Sequence, residues 1–205
     1  MMNNEPDWIV GFEDFTSETD PAAEMRNGGN LKDAEVAARE ELERSAKEHG
    51  ASSPATLPAL DSLGLTLLYM GRYGDALWYL TKAVGMSGRE LGEDDELTLC
   101  RASNLALATL FGGNAAEAVK QLASVRDRRA AVLGPGHRMT LMVEGNLGIA
   151  LARQGKLDLA IEVLKEVLAG MERLKPPYEL SVKMARTNLD LAMKMRDPSA
   201  APAGD

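Results

Sequence analysis

The sequence predicts an all-α fold, a stack of about three and a half helical hairpins on a 42-residue repeat. Apolar residues recur within each repeat at spacings of three and four, which is typical of amphipathic helices. Small and polar residues recur between repeats at the fixed period of 42, which is typical of solenoid proteins. The residues that share this period are Gly50, Gly92 and Gly134; Gly29, Gly71, Gly113 and Gly155; Ala34, Ala76, Ala118 and Ala160; Thr56, Thr98 and Thr140; and Asn104, Asn146 and Asn188, with Ser62 in the fourth register.

Each repeat is predicted to contain a first and a second helix. Glycine accepts the left-handed backbone conformation that closes a helix. Gly71, Gly113 and Gly155 are therefore expected to end first helices, and the series beginning at Gly50 is expected to end second helices. The predicted first helices are 54–69, 96–111 and 138–153, and the predicted second helices are 72–91, 114–133 and 156–174.

The two ends of the stack are predicted to be single helices. Residues 30–49 read as an unpaired second helix and 178–196 as a lone first helix, which forms a C-terminal cap because basic residues keep one of its faces solvated. These basic residues are Lys183, Arg186, Lys194 and Arg196. The predicted organisation is an acidic, aromatic-containing segment over 1–28, a repeat domain over 29–196 and a disordered tail over 197–205.

Charge is distributed unevenly along the 205 residues, whose formal net charge is −8. Residues 1–28 contain seven acids and one base, Arg26, whereas 29–196 contain 22 acids and 22 bases. A neutral body predicts no nucleic-acid binding, which depends on neutralising phosphates. No apolar run approaches 18 residues, so membrane insertion is not expected. The first residues lack the basic and apolar regions of a presequence, which favours a cytoplasmic protein.

Several short motifs carry a family resemblance. They are Asn104-Leu105-Ala106, Asn146-Leu147-Gly148, the segment from Gln154 to Ala160 and the turn from Leu133 to His137. With the 42-residue period, they resemble tetratricopeptide repeats of the kinesin light chain subtype. Arg138 follows His137 where that subtype usually has proline, and no heptad coiled coil precedes the repeats, so the chain is not a kinesin light chain itself. The resemblance implies a right-handed superhelix whose first helices line a concave groove, and an adaptor or scaffold function.

The resemblance also implies which side chains face the groove. Asparagine both donates and accepts hydrogen bonds, so a row of asparagines suits the backbone of an extended peptide; alternatively, these residues bridge adjacent helices. Tyr69 and Phe111 are the best candidate anchors, although they could instead pack between repeats. The predicted partner-binding residues are Ser62, Leu65, Tyr69, Asn104, Leu107, Phe111, Asn146, Ile149, Arg153 and Asn188.

The N-terminal segment is acidic yet contains Trp8, Phe12 and Phe15. Disordered tails are generally poor in aromatic residues, so these three form a possible docking motif. The segment is expected to cover its own repeats, to reach a partner, or to be a degenerate first helix that seals the stack. An acidic peptide centred on tryptophan is also the kind of ligand that the resemblance implies for the groove.

The sequence offers no catalytic, cofactor or metal site. His49 and His137 lie beside helix-ending glycines, and Cys100 has no sequence neighbour that would activate it. The acidic run 93–96 lacks the alternating oxygen ligands of a calcium loop and suits a helix N-terminus. The predicted function is non-catalytic binding of a protein or peptide in the groove. The alternative is a permanent structural subunit or assembly factor of a larger complex.

Overall fold

The computed structural model describes residues 8, 10, 21–175 and 178–199. Within these residues there are nine α-helices and no strand, which confirms the predicted all-α fold. We refer to α3, α5, α7 and α9 as first helices and to α2, α4, α6 and α8 as second helices. The helices are α1 (Pro21–Asn27), α2 (Leu31–His49), α3 (Leu57–Tyr69), α4 (Tyr73–Glu90), α5 (Glu96–Phe111), α6 (Ala115–Leu133), α7 (Arg138–Arg153), α8 (Leu157–Arg173) and α9 (Glu179–Arg196), and a 3-10 turn, Pro54–Thr56, leads into α3.

The helix boundaries agree closely with the sequence pattern. α5 and α7 begin and end at the predicted residues, and α3 with its 3-10 turn spans the predicted 54–69. The second helices differ from prediction by a residue or so at their ends. The short helix α1 lies in the segment 1–28, for which a degenerate first helix was one of three alternatives, and it precedes Gly29 as the end of α3 precedes Gly71. It is held by tertiary burial rather than by propensity, because Ala22 and Arg26 are both buried.

The helix-ending glycines all have a positive φ, as predicted from their period. They are Gly29, Gly50, Gly71, Gly92, Gly113, Gly134 and Gly155, one at every 21st residue, with φ between 73° and 97°. After α3, the N–H of Gly71 donates to the carbonyl of Leu68 and that of Arg72 to Leu67. This pair of bonds satisfies the last carbonyls of the helix while the chain reverses.

Side-chain caps fix where the first helices begin. An oxygen of Asp95 accepts a hydrogen bond from the Leu97 N–H at 2.9 Å, and Ser53 accepts from the Ala55 N–H at 3.3 Å. At α7 the cap is His137, whose Nδ1 accepts from the Met139 N–H at 3.3 Å. The acidic run and one of the two histidines therefore act at helix starts, where the exposed N–H groups need acceptors.

The chain divides into two compact units, residues 12–114 and residues 1–11 with 115–205. In the first unit, α1 to α5 surround a core that contains Leu63, Leu65 and Leu80 with small alanines of α2 and α4. In the second, α7 packs against both α6 and α8, and α8 packs against α9. Within each unit, consecutive helices thus bury each other's apolar faces, as a repeat fold requires.

Small residues set the spacing within a hairpin. A Cβ atom added to Gly64 of α3 would lie 2.8 Å from Cδ2 of Leu80 on α4. A Cβ atom added to Gly148 of α7 would lie equally close to Leu164 on α8. The first and second helices therefore approach each other so closely that a larger side chain would displace a core leucine.

Candidate functional site

The row of polar residues predicted to face the groove is buried. Ser62, Asn104, Asn146 and Asn188 lie one on each first helix, and each side chain is almost fully covered. A buried amide without a partner costs about 1–3 kcal/mol, and none of the three asparagines lacks a partner. The structure does not test whether these side chains contact a bound peptide, so that role stays a prediction.

Ser62 is engaged within the chain. The guanidinium of Arg26, on α1, donates to the Ser62 hydroxyl at 3.2 Å, to its carbonyl at 3.3 Å and to the Thr66 hydroxyl at 3.1 Å. Sequence reasoning missed this role of Arg26. The available signal was that Arg26 is the single base in the acidic first 28 residues. A buried guanidinium requires several acceptors, and α3 supplies them.

The apolar candidates fall into two groups. Leu65, Leu107 and Ile149 are fully buried and belong to the core. Tyr69 is 38% exposed, and Phe111 and Arg153 are half-buried. These last three lie at the C-terminal ends of successive first helices, and Met195 holds the same position in α9 with 37% exposure. We call these four residues the accessible row. Each first helix thus presents one large side chain at its end.

Phe111 shows how an accessible residue is held in place. Its ring stacks on that of Tyr73, with the centroids 5.7 Å apart and an interplanar angle of 27°. The two rings lie on α5 and α4, so this contact joins one hairpin to the next within the same unit. Stacked rings leave one aromatic face for a ligand while restricting side-chain motion.

Trp8 packs against the last two helices. It lies against a cluster formed by Ile161 and Leu164 of α8 and by Leu189 and Ala192 of α9, which we call the Trp8 contact surface. The tryptophan is only partly buried, and its indole N–H is enclosed without a hydrogen-bond acceptor. Phe12 and Phe15, the other members of the possible docking motif, lie outside the described residues.

A buried ion pair lies beside the polar row in the first unit. Arg101 of α5 contacts the carboxylate of Asp61 on α3 through three N–O distances of 2.6–3.0 Å. The guanidinium also donates to Ser87 at 2.8 Å, and Ser87 shares a 2.7 Å hydrogen bond with Thr98. Both charged residues are almost completely buried. This network links three helices and is closed to substrates, so its role is structural.

Glu144 of α7 is a half-buried carboxyl whose pKa is shifted by its surroundings. Burial raises the pKa of Glu144; Arg126, whose Nη1 lies 4.0 Å from the carboxylate, opposes this rise, and the like charge of Glu166 adds to it. Among the described residues, no group of three or more histidine, cysteine or acidic side chains is placed to hold a metal ion.

Comparison with known proteins gives a match within the same repeats. The family model for the tetratricopeptide repeat matches residues 97–173. No curated protein matches the chain in sequence. Over the described part of the chain, no helix is both long and apolar enough to cross a membrane.

Solved structures match over most of the chain. The TPR-like repeats of a Podosopora anserina protein assigned as a kinesin light chain superpose with a TM-score of 0.71 at 22% identity, covering 87% of this chain and 84% of that one. A variant of the same repeats gives 0.72 at 21% identity with the same coverage. BtubC (BKLC) from P. vanneervenii gives 0.71 at 18% identity, covering 85% of this chain and 70% of that one. At these identities the likeness concerns the fold.

Proposed function

We propose that this chain binds a peptide or protein partner along the groove side of its first helices and has no catalytic activity, because the tetratricopeptide repeat model matches residues 97–173 and the fold resembles that of kinesin light chain-like repeats. Proteins of this repeat family are typically interaction scaffolds rather than enzymes. The fold alone does not define a ligand, so the proposal depends on particular side chains. The cytoplasmic location expected from the sequence stays a prediction.

Trp8 is the observation that carries the proposal. It belongs to a segment outside the repeats, yet it packs on apolar side chains of α8 and α9. Trp8 is a large apolar residue in an acidic segment, and its indole N–H has no acceptor among the described residues. An unsatisfied buried donor costs about 1–3 kcal/mol. A partner peptide that places an apolar side chain there without leaving a donor unsatisfied has an energetic advantage over the protein's own segment.

The accessible row supports a partner of matching chemistry. Tyr69 and Phe111 offer aromatic faces, and Arg153 offers a planar cation that binds carboxylates with two hydrogen bonds. Large aromatic residues and arginine contribute most strongly to binding energy at protein interfaces. A partner that combines apolar and acidic side chains, as the segment 1–20 does, fits this row.

A second candidate function uses a different surface. Trp78, on the second helix α4, is 61% exposed. Its ring contacts Tyr79 edge-on at 4.8 Å, and the Lys82 ammonium lies 5.7 Å from its centroid. Exposed tryptophans are frequent anchors of protein interfaces. This observation favours the alternative of a permanent subunit that contacts its complex through second helices.

A peptide-binding titration tests the groove proposal. The probe is a fluorescein-labelled peptide with the sequence of residues 1–20, titrated with the full-length protein and with its Trp8→Ala variant. The variant should bind the probe at least about tenfold more tightly, because a tethered segment competes at a millimolar-range effective concentration. Tyr69→Ala or Arg153→Glu, each added to Trp8→Ala, should weaken that binding.

Matched controls separate the two candidate surfaces. Trp78→Ala removes the other tryptophan and should leave the affinity of the wild type for the probe unchanged under the groove proposal. A probe carrying Trp8→Ala should bind neither protein. If the native probe fails to bind the Trp8→Ala protein while circular dichroism shows a normal helix content, the groove proposal is wrong. If Trp78→Ala alone abolishes binding, the second surface is the functional one.

A further inference from the structure

The last helix, α9, carries an apolar stripe on its outer side. Leu180 is 71% exposed and Met195 is 37% exposed, while Met184, Thr187 and Leu191 are half-buried. Their spacing of four, three, four and four residues places them along one side of the helix. The side of α9 that packs inward is a different one, formed by Ala185, Asn188, Leu189 and Ala192.

Comparison between repeats shows that this stripe lacks its usual cover. The positions that correspond to Leu191 in the earlier first helices are Leu65, Leu107 and Ile149, and all three are fully buried. No helix follows α9 in the part of the chain that the structure describes. Stacked repeats need terminal helices with polar outer faces to stay soluble, and the stripe departs from that rule.

The stripe is complementary to itself when it is reversed. If a second α9 runs antiparallel and crosses at Thr187, Leu180 lies opposite Met195 of the other copy and Met184 lies opposite Leu191. The same antiparallel arrangement brings opposite charges beside the stripe together: Glu179 comes near Lys194 of the other copy, and Lys183 comes near Asp190 of the other copy. A parallel pair would not bring these opposite charges together, because its two-fold axis places this flank of one helix against the other flank of its partner.

We propose that α9 is a homodimer interface, in which two copies of this chain pack their α9 stripes antiparallel about a two-fold axis at Thr187. Such an interface is isologous, so each contact occurs twice. Each copy would contribute Glu179 and Lys194 at one end of the interface and Lys183 and Asp190 nearer its centre. Of the stripe residues, only Met195 also belongs to the accessible row, so Leu180 and the charged pairs test this interface separately from partner binding in the groove.

Sedimentation velocity of the full-length protein tests the interface. From low to high micromolar concentration the protein should shift from monomer to dimer. Leu180→Glu combined with Met195→Glu should raise the dimer Kd by about tenfold or more, because it places like charges opposite each other in the apolar seam. Val132→Glu on α6 is the matched control, since Val132 is also an exposed apolar residue of the same unit; it should leave the Kd unchanged.

Charge reversal tests the antiparallel register. Glu179→Lys and Lys194→Glu should each raise the dimer Kd about two- to fivefold, and the two changes together should restore it. All of these side chains are exposed, so folding is preserved and is checked by circular dichroism. A wild type that stays monomeric throughout, or a dimer indifferent to the Leu180 and Met195 changes, overturns the proposal. Failure of the double reversal to restore the Kd overturns the antiparallel arrangement.

Discussion

The buried pair of Asp61 and Arg101 gives a prediction whose magnitude follows from the structure. Asp61 is 1% exposed and Arg101 4% exposed, so neither charge has access to water if its partner is removed. Breaking a buried ion pair from one side costs about 3–5 kcal/mol. Asp61→Leu and Arg101→Met should therefore each lower the free energy of unfolding by about that amount.

The double variant should recover most of this loss. Replacing a buried pair by apolar residues of similar volume is often neutral or stabilising by about 1–4 kcal/mol. The fold accepts an apolar residue at this register, because the counterpart of Arg101 in the next repeat is Val143, which is fully buried. Ser87 would lose Arg101 but keep its 2.7 Å hydrogen bond to Thr98, so no new unsatisfied hydroxyl is created.

Urea unfolding followed by circular dichroism measures the coupling. The sum of the two single losses should exceed the loss of the double variant by more than about 3 kcal/mol. The half-buried carboxylate Glu35, whose two arginine partners are exposed, provides a control. It accepts hydrogen bonds from Arg39 and Arg72 at 2.7 Å, and these bonds lower its pKa, Arg39 having the larger effect. Glu35→Gln should cost less than about 1 kcal/mol, and salt should remove that cost. Additive losses at Asp61 and Arg101 would refute the reasoning.

Three further predictions test backbone, proton and packing effects. Gly113→Ala should destabilise the protein by about 1–2 kcal/mol because φ is 97° there. Gly85→Ala inside α4, where an added Cβ meets only the Arg89 side chain at 3.9 Å, should instead stabilise it by about 0.5–1 kcal/mol. Chemical denaturation compares the two variants, and equal effects would contradict the assignment of Gly113 as a helix end. Burial raises the pKa of Glu144 in the folded protein. Its contribution to stability is therefore favourable below the ordinary glutamate pKa of about 4.3 and is lost as pH rises through the raised pKa. Glu144→Gln should be more stable than the wild type at pH 7 but not at pH 3, and a stability difference that does not change with pH would exclude this cause. Arg26→Ala should increase amide hydrogen exchange in α1 while leaving α7 protected, and unchanged exchange in α1 would show that Arg26 does not anchor it.

The 42-residue period predicted the helices because the same boundary residue recurs in several repeats. A helix-ending glycine at one position is weak evidence, but seven glycines at intervals of 21 residues define both ends of every hairpin, and all have the expected φ. The same reasoning left α1 open as one of three alternatives for the segment 1–28, although Gly29 belongs to the series of glycines that end first helices. Nor could it find the Asp61–Arg101 pair, because there the repeats differ: the counterpart of Asp61 is Ser103 and that of Arg101 is Val143.

The sequence predicted that the candidate groove residues occupy equivalent positions on successive first helices, but it did not predict how deeply each side chain is buried. The period indicates which side of a first helix a residue occupies, and it placed Tyr69, Phe111 and Arg153 at equivalent helix ends. It does not indicate how far a neighbouring helix covers that side. Leu107 therefore looked equivalent to Phe111 in the sequence, although it is fully buried and Phe111 is only half-buried. Their contact with a partner remains to be measured.

The two proposed surfaces of α9 are compatible with each other. A helix turns by about 100° per residue, so Leu189, which contacts Trp8, and Leu191, in the outer stripe, point in nearly opposite directions. A dimer formed through the stripe leaves both Trp8 contact surfaces in place and joins two peptide-binding repeats in one particle. A partner with two copies of its motif would then bind more tightly than one with a single copy, without any new contact. Leu180→Glu, which leaves Met195 of the accessible row intact, should abolish that gain for a two-motif peptide while leaving the affinity for a single-motif peptide unchanged. Loss of both affinities would show that the two surfaces are not independent.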